Sequence, residues 1–272
     1  MKRVVITIAI FQFLLAGLSS CDKDPLETKP SVDPLVSYLA STNALNDVFL
    51  TFNYYYPEDF TNTILQNGVE MTVTPVYPLD SFPKIIYIDF GETGILCADS
   101  ITRKGIITCA VASPWDEFPS SVKLSFDHYY SNNVLIDGHF EFVSTRVNDS
   151  ILFNLNVLNG KLVLENNDSI KFNCSFPLRT EFQSMFKVLE PFSWEALTSQ
   201  EFSGVDNKQS PFQVNIEQIL KFSNTCENGE IVSGKVNVIP DGASDFQADF
   251  GNGDCDRTLI ISSGGINFTL PF

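Results

Sequence analysis

From about residue 70 onward, apolar and polar side chains alternate along the chain with a period of two. Val122–Phe126, Ile151–Val157 and Ile170–Phe176 show this pattern most clearly. Such alternation gives a strand one buried and one exposed face, as in antiparallel sheet. Turn residues separate the runs, and Asn159-Gly160 predicts a tight hairpin. The pattern therefore predicts a mainly β protein, built as an antiparallel β-sandwich or a long twisted meander.

One segment near the start of the chain favours a helix instead. Leu35–Asn46 has helical spacing of its apolar residues, with Asp33 expected as the N-cap and Pro34 at the first helical position. The aromatic run Phe49–Tyr56 that follows predicts a strand. We therefore expect one short N-terminal helix ahead of the sheet.

The first residues have the pattern of a lipoprotein signal peptide, predicted to cover residues 1–20. Two basic residues precede an apolar stretch, Val4–Leu15, that is too short to span a bilayer stably. Leu18–Cys21 then matches a lipobox, in which the chain is cut before Cys21 and its sulfur is acylated. The alternative is an ordinary secretory signal with a coincidental cysteine.

The rest of the chain divides into a tether and one large domain. Residues 21–34 are polar and contain three prolines, which predicts a tether between the lipid and the fold. Residues 35–272 would form the β-rich domain. A polar, turn-rich stretch allows a sub-boundary near residues 190–210, although we prefer a long loop within one domain.

The net negative charge of the chain argues against some classes of partner. The chain carries 17 basic and 33 acidic residues, and cleavage before Cys21 would leave 15 basic residues. This acid excess argues against nucleic acid as a partner and against electrostatic binding to an anionic membrane surface. Membrane association is therefore expected through the lipid anchor alone. No motif predicts a cofactor.

The cysteines predict disulfides, because export would place them in an oxidising space. Cys226 and Cys255 flank a predicted hairpin and fall at the same end of it, where a bridge is feasible. A second bond would come from Cys97, Cys109 and Cys174, with Cys97–Cys109 favoured by proximity in the sequence.

Two segments of the chain share one pattern. Ile85–Gly91 and Phe246–Gly251 are both alternating runs that end in Asp-Phe-Gly. We expect Phe90 and Phe250 to enter the core, while the glycines take turn conformations closed to other residues. The second copy adjoins four oxygen-bearing side chains: Asp249, Asn252, Asp254 and Asp256. Calcium binding is the less favoured use of these residues and turn formation the preferred one, because their order fits no EF-hand.

Several segments taken together resemble a family of surface or periplasmic lipoproteins of the Bacteroidota. They are Ile86–Gly91 followed by Cys97, Thr102–Ile107, Val122–Tyr130, Ile136–Gly138 and Asp249–Asp256. The resemblance covers roughly residues 80–272 and implies an envelope lipoprotein, but it brings no activity and no catalytic residue.

The resemblance also implies a location and a modification. The acidic residues Asp22, Asp24 and Glu27 are similar to the signal that sends such lipoproteins to the cell surface, which favours surface display on the outer membrane over a periplasm-facing position. Exported proteins of this phylum carry O-glycans within Asp-Ser/Thr-apolar sites. Three Asp-Ser-Ile tripeptides make O-glycosylation a hypothesis for Ser100, Ser150 and Ser169, the alternative being simple turn formation.

The leading functional hypothesis is a non-catalytic surface module that binds a protein or glycan, or supports an envelope assembly. Tyr54–Tyr56, Tyr129-Tyr130 and Trp115 could stack on sugar rings, or could equally build the core. The alternative is a carbohydrate-active or other hydrolase that uses a carboxylate pair in a deep cleft. The sequence contains no Gly-x-Ser-x-Gly motif for a serine hydrolase.

The anchor hypothesis predicts the behaviour of one variant. Cys21→Ser removes the sulfur that would be acylated, so the protein should move from the membrane fraction to the soluble fraction. Detergent partition measures this directly, and retention of the variant with the membranes would contradict the assignment.

Overall fold

The computed structural model describes residues 30–57, 60–65, 67–78, 80–181, 193–226 and 230–271. This part of the chain contains one helix, α1 (Asp33–Tyr55), and sixteen strands in one antiparallel sheet. The strands are β1 (Thr63–Ile64), β2 (Glu70–Thr74), β3 (Lys84–Asp89), β4 (Ile95–Leu96), β5 (Thr102–Val111), β6 (Ser120–Ser131), β7 (Val134–Val147), β8 (Ser150–Val163), β9 (Ser169–Glu181), β10 (Ser193–Ala196), β11 (Glu201–Val205), β12 (Pro211–Ser223), β13 (Ile231–Pro240), β14 (Phe246–Asn252), β15 (Thr258–Ser263) and β16 (Ile266–Pro271).

The sheet is a long meander, in which most strands pair with their neighbours in the chain. Two places depart from this order. The short strand β4 pairs only with β5, and β10 and β11 lie end to end between β9 and β12. The mainly β, antiparallel fold predicted from the alternation is confirmed, and of the two predicted arrangements the chain adopts the meander.

The sheet curves around α1. At the end of β3, Phe90 packs edge-on against Tyr55, with ring centroids 5.4 Å apart. Far along the sheet, Phe202 on β11 packs against Tyr38 at 4.9 Å. Between these contacts, Phe49 meets rings from β7 and β8. Contacts to this one helix therefore come from the end of β3 and from β7, β8 and β11, so the inner face of the sheet must wrap around it.

The helix is longer than the sequence predicted. It continues to Tyr55, so the predicted strand at Phe49–Tyr56 is wrong. A helix that is enclosed on several sides carries apolar residues around most of its circumference, which hides the one-sided pattern of a surface helix. Fifteen of its 23 residues are buried. Within the described ranges, no helix has both the length and the apolar character needed to cross a membrane.

Two local predictions also need correction. Asp33 is the first helical residue rather than the N-cap, and its carboxylate pairs with the ammonium of Lys208. Asn159-Gly160 makes no hairpin, since β8 runs through it without turning. Asn159 has a φ of 55° at an irregularity in the pairing of β8 with its neighbours. Asn159, which was predicted to form a turn, therefore lies in a β-bulge.

Both Asp-Phe-Gly segments adopt the conformation that the sequence predicted. Phe90 and Phe250 are buried, and the glycines that follow, Gly91 and Gly251, have φ values of 71° and 80°. In each copy, the Asp carboxylate accepts a hydrogen bond from the Gly amide two residues later, at 2.7 and 3.0 Å. The two motifs thus share one local hydrogen bond and one glycine conformation, at the end of β3 in the first copy and near the end of β14 in the second.

One of the two predicted disulfides is present. Cys226 and Cys255 are bonded, with their Cα atoms 5.5 Å apart, at the open end of the β13–β14 hairpin. The pair Cys97–Cys109 is not formed, and both residues are free thiols, as is Cys174. Cys97 lies in the turn before β5, whereas Cys109 lies seven residues along that extended strand, roughly 20 Å away at about 3.3 Å per residue.

Two predicted domain features lie wholly or partly outside the described residues. The signal peptide, Cys21 and most of the tether precede residue 30. The stretch proposed as a sub-boundary begins before residue 193, and its described part contains β10 and β11. Both of these strands pair with β9 on one side and β12 on the other, so residues 193–205 are integrated into the sheet.

The enclosure of α1 predicts a large cost for removing one of its inward rings. Phe49 is buried against Phe142 and Phe153, so Phe49→Ala should lower the free energy of unfolding by about 3–5 kcal/mol. Val36 is half exposed on the same helix. Val36→Ala should change the free energy of unfolding by no more than about 0.5 kcal/mol. Denaturant titration compares the two, and equal effects would contradict the enclosure.

Candidate functional site

A cavity of about 770 Å³ lies between one side of α1 and one end of the sheet. Its walls come from α1, from the turns β4–β5 and β6–β7, from the end of β8 and from the segment after β12. The volume falls within the roughly 300–1,000 Å³ that is usual for small-molecule sites. The cavity is therefore the natural candidate for a binding site in the described part of the chain.

A group of four polar side chains, the Arg103 cluster, lies beside this cavity: Asp47 on α1, Asp99 in the β4–β5 turn, Arg103 on β5 and Tyr129 on β6. Arg103 is 2% exposed. Its two terminal nitrogens donate to the two carboxylate oxygens of Asp99 at 2.9 and 2.7 Å, and one of them also donates to Asp47. The Tyr129 hydroxyl donates to the other oxygen of Asp47 at 2.9 Å. The cluster thus ties the helix to two strands.

The donors of the cluster keep their protons. Burial acts to lower the pKa of Arg103, but the charges of Asp47 and Asp99 outweigh it and hold that pKa well above its usual value. Burial, reinforced by the charge of Asp47, raises the pKa of Tyr129. Arg103 therefore stays a cation and Tyr129 a neutral donor. Two carboxylates and one guanidinium leave the cluster with a formal charge of about −1.

Apolar side chains form much of the remaining wall. Ala44 and Leu50 face the cavity from α1, Ile136 from β7 and Leu162 from β8, and Tyr54 adds an aromatic ring that is 39% exposed. The cavity therefore combines an apolar wall with a charged corner. This combination suits a ligand that has an apolar body and one polar group.

One free thiol also lines the cavity. Cys97 is 6% exposed and lies beside Tyr55, whose pKa is raised by burial and by that thiol. Cys109 and Cys174 lie elsewhere in the core. Burial raises the pKa of both, that of Cys174 to about 12, so neither forms a reactive thiolate at neutral pH. Cys97 is therefore the free thiol whose reaction with a thiol reagent can report whether the cavity is occupied.

Asp249 in β14 and Asp256 after that strand both contact nearby groups of the chain. Asp249 forms an ion pair with Lys235 at 2.8 Å, and Asp256 accepts a hydrogen bond from the Thr258 amide at 3.1 Å. Across the described ranges, no group of three or more His, Cys, Asp or Glu residues could hold a metal ion. The turn and capping roles preferred for Asp249 and Asp256 are thus visible in their contacts.

The three candidate glycosylation sites lie at strand starts or in a turn. Ser100 is exposed in the β4–β5 turn at the wall of the cavity. Ser150 and Ser169 are the first residues of β8 and β9 and are half buried. All three tripeptides lead from a turn into a strand. O-glycosylation of these hydroxyls stays a prediction.

Three of the six aromatic residues considered for sugar stacking lie in the core. Trp115, Tyr129 and Tyr55 are buried, and the Trp115 indole donates to Asn53 on α1 at 2.9 Å. Tyr54 is the member of the set that remains partly exposed at the cavity wall. The core interpretation of these aromatics is therefore correct for the three buried rings.

Sequence reasoning missed the Arg103 cluster, although one signal for it was present. Arg103 occupies an inward position near the start of β5, where the alternating pattern calls for an apolar residue. A charge at such a position requires a buried partner. That partner, Asp47, lies 56 residues away in the chain, so no local pattern could identify it.

Comparison with known proteins did not identify a related protein. Searches of protein-family models, curated proteins and solved structures found no match to this chain. The functional argument therefore depends on the geometry of the cavity itself.

The buried ion pair predicts a strong effect on stability. Arg103→Met leaves the Asp47 carboxylate buried without its cation, so the free energy of unfolding should fall by about 3–5 kcal/mol. Arg146→Met removes the same charge from an exposed position and should cost less than about 1 kcal/mol. Chemical denaturation checks both values.

A second substitution tests whether the unpaired charge of Asp47 causes the loss of stability. Asp47→Asn added to Arg103→Met removes the unpaired charge, so the double variant should be more stable than Arg103→Met alone. An Arg103→Met variant no less stable than Arg146→Met would show that the cluster does not hold the helix to the sheet.

Proposed function

We propose that this chain is a non-catalytic binding protein of the cell envelope, held to the membrane through Cys21, and that the cavity beside α1 receives its ligand. The observation that supports this most is the cavity itself, whose volume is about 770 Å³. Its walls are supplied by one buried helix and several turns of the same sheet, so the site is preformed rather than assembled on contact.

The state of the carboxylates favours binding over hydrolysis. A glycosidase needs one carboxyl group to donate a proton and a second to attack the sugar or activate water. Asp47 and Asp99, the two carboxylates at the cavity, both accept hydrogen bonds from the one guanidinium of Arg103. Asp47 is bound by Tyr129 as well. These contacts suit a structural and recognition role better than proton transfer.

The distance from the proposed anchor also supports a role near the membrane. Asp33, the start of α1, lies twelve residues after Cys21, with eleven residues between them. Even a fully extended chain of that length reaches only about 40 Å. The domain would therefore stay close to the bilayer surface, where a protein, a glycan or a smaller envelope molecule could present the group that enters the cavity.

Filling the cavity should weaken the binding of an apolar probe. N-phenyl-1-naphthylamine, a neutral dye that fluoresces in apolar surroundings, should bind the purified protein at one site. Ala40→Phe places a ring in the cavity from α1 and should weaken binding by about tenfold or more. Val36→Phe adds the same ring one helical turn earlier, at a half-exposed position outside the cavity, and should leave binding unchanged.

Cys97 shows where the probe lies. An occupied cavity should slow the reaction of Cys97 with a thiol reagent in the folded protein. The raised pKa values of Cys109 and Cys174 should keep those two thiols unreactive until unfolding. Absence of saturable binding would defeat the proposal. Binding that leaves both the Cys97 rate and the Ala40→Phe affinity unchanged would place the ligand elsewhere.

A further inference from the structure

The charged side chains at the cavity carry more negative than positive charge. Among the described residues, the charged side chains that line the cavity are Asp47, Asp99 and Arg103. Both terminal nitrogens of Arg103 are engaged by these two carboxylates. One negative charge is therefore in excess, within a protein whose formal net charge is −16.

The excess charge is accessible at Asp99 rather than at Asp47. The Asp47 side chain is 9% exposed, and each of its oxygens accepts a hydrogen bond. The Asp99 side chain is 40% exposed. Its Oδ1 accepts from Arg103 and from the Ile101 amide. Among the described residues, its Oδ2 accepts from Arg103 alone. Because each carboxylate oxygen can accept about two hydrogen bonds, Asp99 Oδ2 has room for one more donor.

The same contacts disfavour an anionic ligand. Arg103 Nε has no hydrogen-bond partner among the described residues, but it is shielded from solvent, so a ligand could not reach it without moving the guanidinium. A carboxylate or phosphate in the cavity would meet the net negative charge of the cluster and the acidic field of the whole chain. Charge complementarity therefore favours a cation.

We propose that the cavity binds an amphiphile with an ammonium head group, which donates to Asp99, and an apolar chain, which packs between α1 and the wall formed by Ile136 and Leu162. The ammonium completes the open acceptor of Asp99 and balances the charge of the cluster. The apolar chain is stabilised by the walls in proportion to the area it buries. This assignment depends on the proposed function, since it names the ligand class of the same cavity.

Three matched probes test the head group without any substitution. Dodecylammonium, dodecanoate and dodecanol share one chain and differ in charge, and each can displace the naphthylamine dye below its micellar concentration. Dodecylammonium should bind about tenfold or more tighter than dodecanoate, with dodecanol between them. The preference for the cation should shrink as salt is added, because part of it is electrostatic.

A matched pair of variants tests Asp99 itself. Asp99→Asn keeps the side-chain shape and should reduce the preference for dodecylammonium over dodecanoate to about threefold or less. Asp149 stands in an identical Asp-Ser-Ile tripeptide, is exposed and lies outside the cavity. Asp149→Asn removes the same formal charge from the chain and should leave the preference intact.

The outcomes separate the two proposals. Equal affinity for the three probes, or tighter binding of dodecanoate, would overturn the ammonium assignment while leaving the cavity as a binding site. A cation preference unchanged by Asp99→Asn would overturn the role of Asp99. If neither the dye nor any of the dodecyl probes binds, both the ammonium assignment and the proposed function are wrong.

Discussion

The enclosure of one helix by one continuous sheet is the constraint on which the rest of this structure depends. Strands from β3 to β13 contact α1, and its inward rings interlock with rings on β7, β8 and β11. A meander of this length would otherwise expose an apolar face that no second layer covers. The helix supplies that layer, and in return it must carry apolar residues around most of its circumference.

Such a helix must also satisfy its own polar groups internally. Ser41 and Thr42 do so by donating to backbone carbonyls of the preceding turn, at 2.8 and 3.0 Å. Asp47 is the one charged residue of α1 beyond its first turn, and it needs a cation inside the fold. Arg103 meets that need, and the pair joins the helix to the sheet at the edge of the cavity.

The cavity follows from the same arrangement. Small side chains on α1, among them Ala40 and Ala44, leave space between the helix and the parts of the sheet that line the cavity. The space keeps one apolar wall and one charged corner, because the Arg103 cluster occupies only part of its lining. The proposed binding function depends on this combination of an apolar wall and a charged corner.

Local interactions were accessible from the sequence alone. The period of two predicted β3, β6, β9, β14 and the first part of β8, because side-chain direction in a strand depends only on residue parity. The Cys226–Cys255 bond was predictable because both residues flank one hairpin, and the Asp-Phe-Gly turns because Gly91 and Gly251 have few neighbours that could change their conformation. Each of these features depends on residues close together in the chain.

Only the tertiary structure decided the rest. Phe49–Tyr55 became helix because the surrounding sheet buries those rings, which outweighs their preference for strands. Asn159 became part of a bulge because the pairing of β8 with β7 and β9 continues past it. The pairing of Asp47 with Arg103, and the cavity beside it, required two segments 56 residues apart to meet. Their meeting depends on how the whole sheet closes around α1, and no local pattern contains that information.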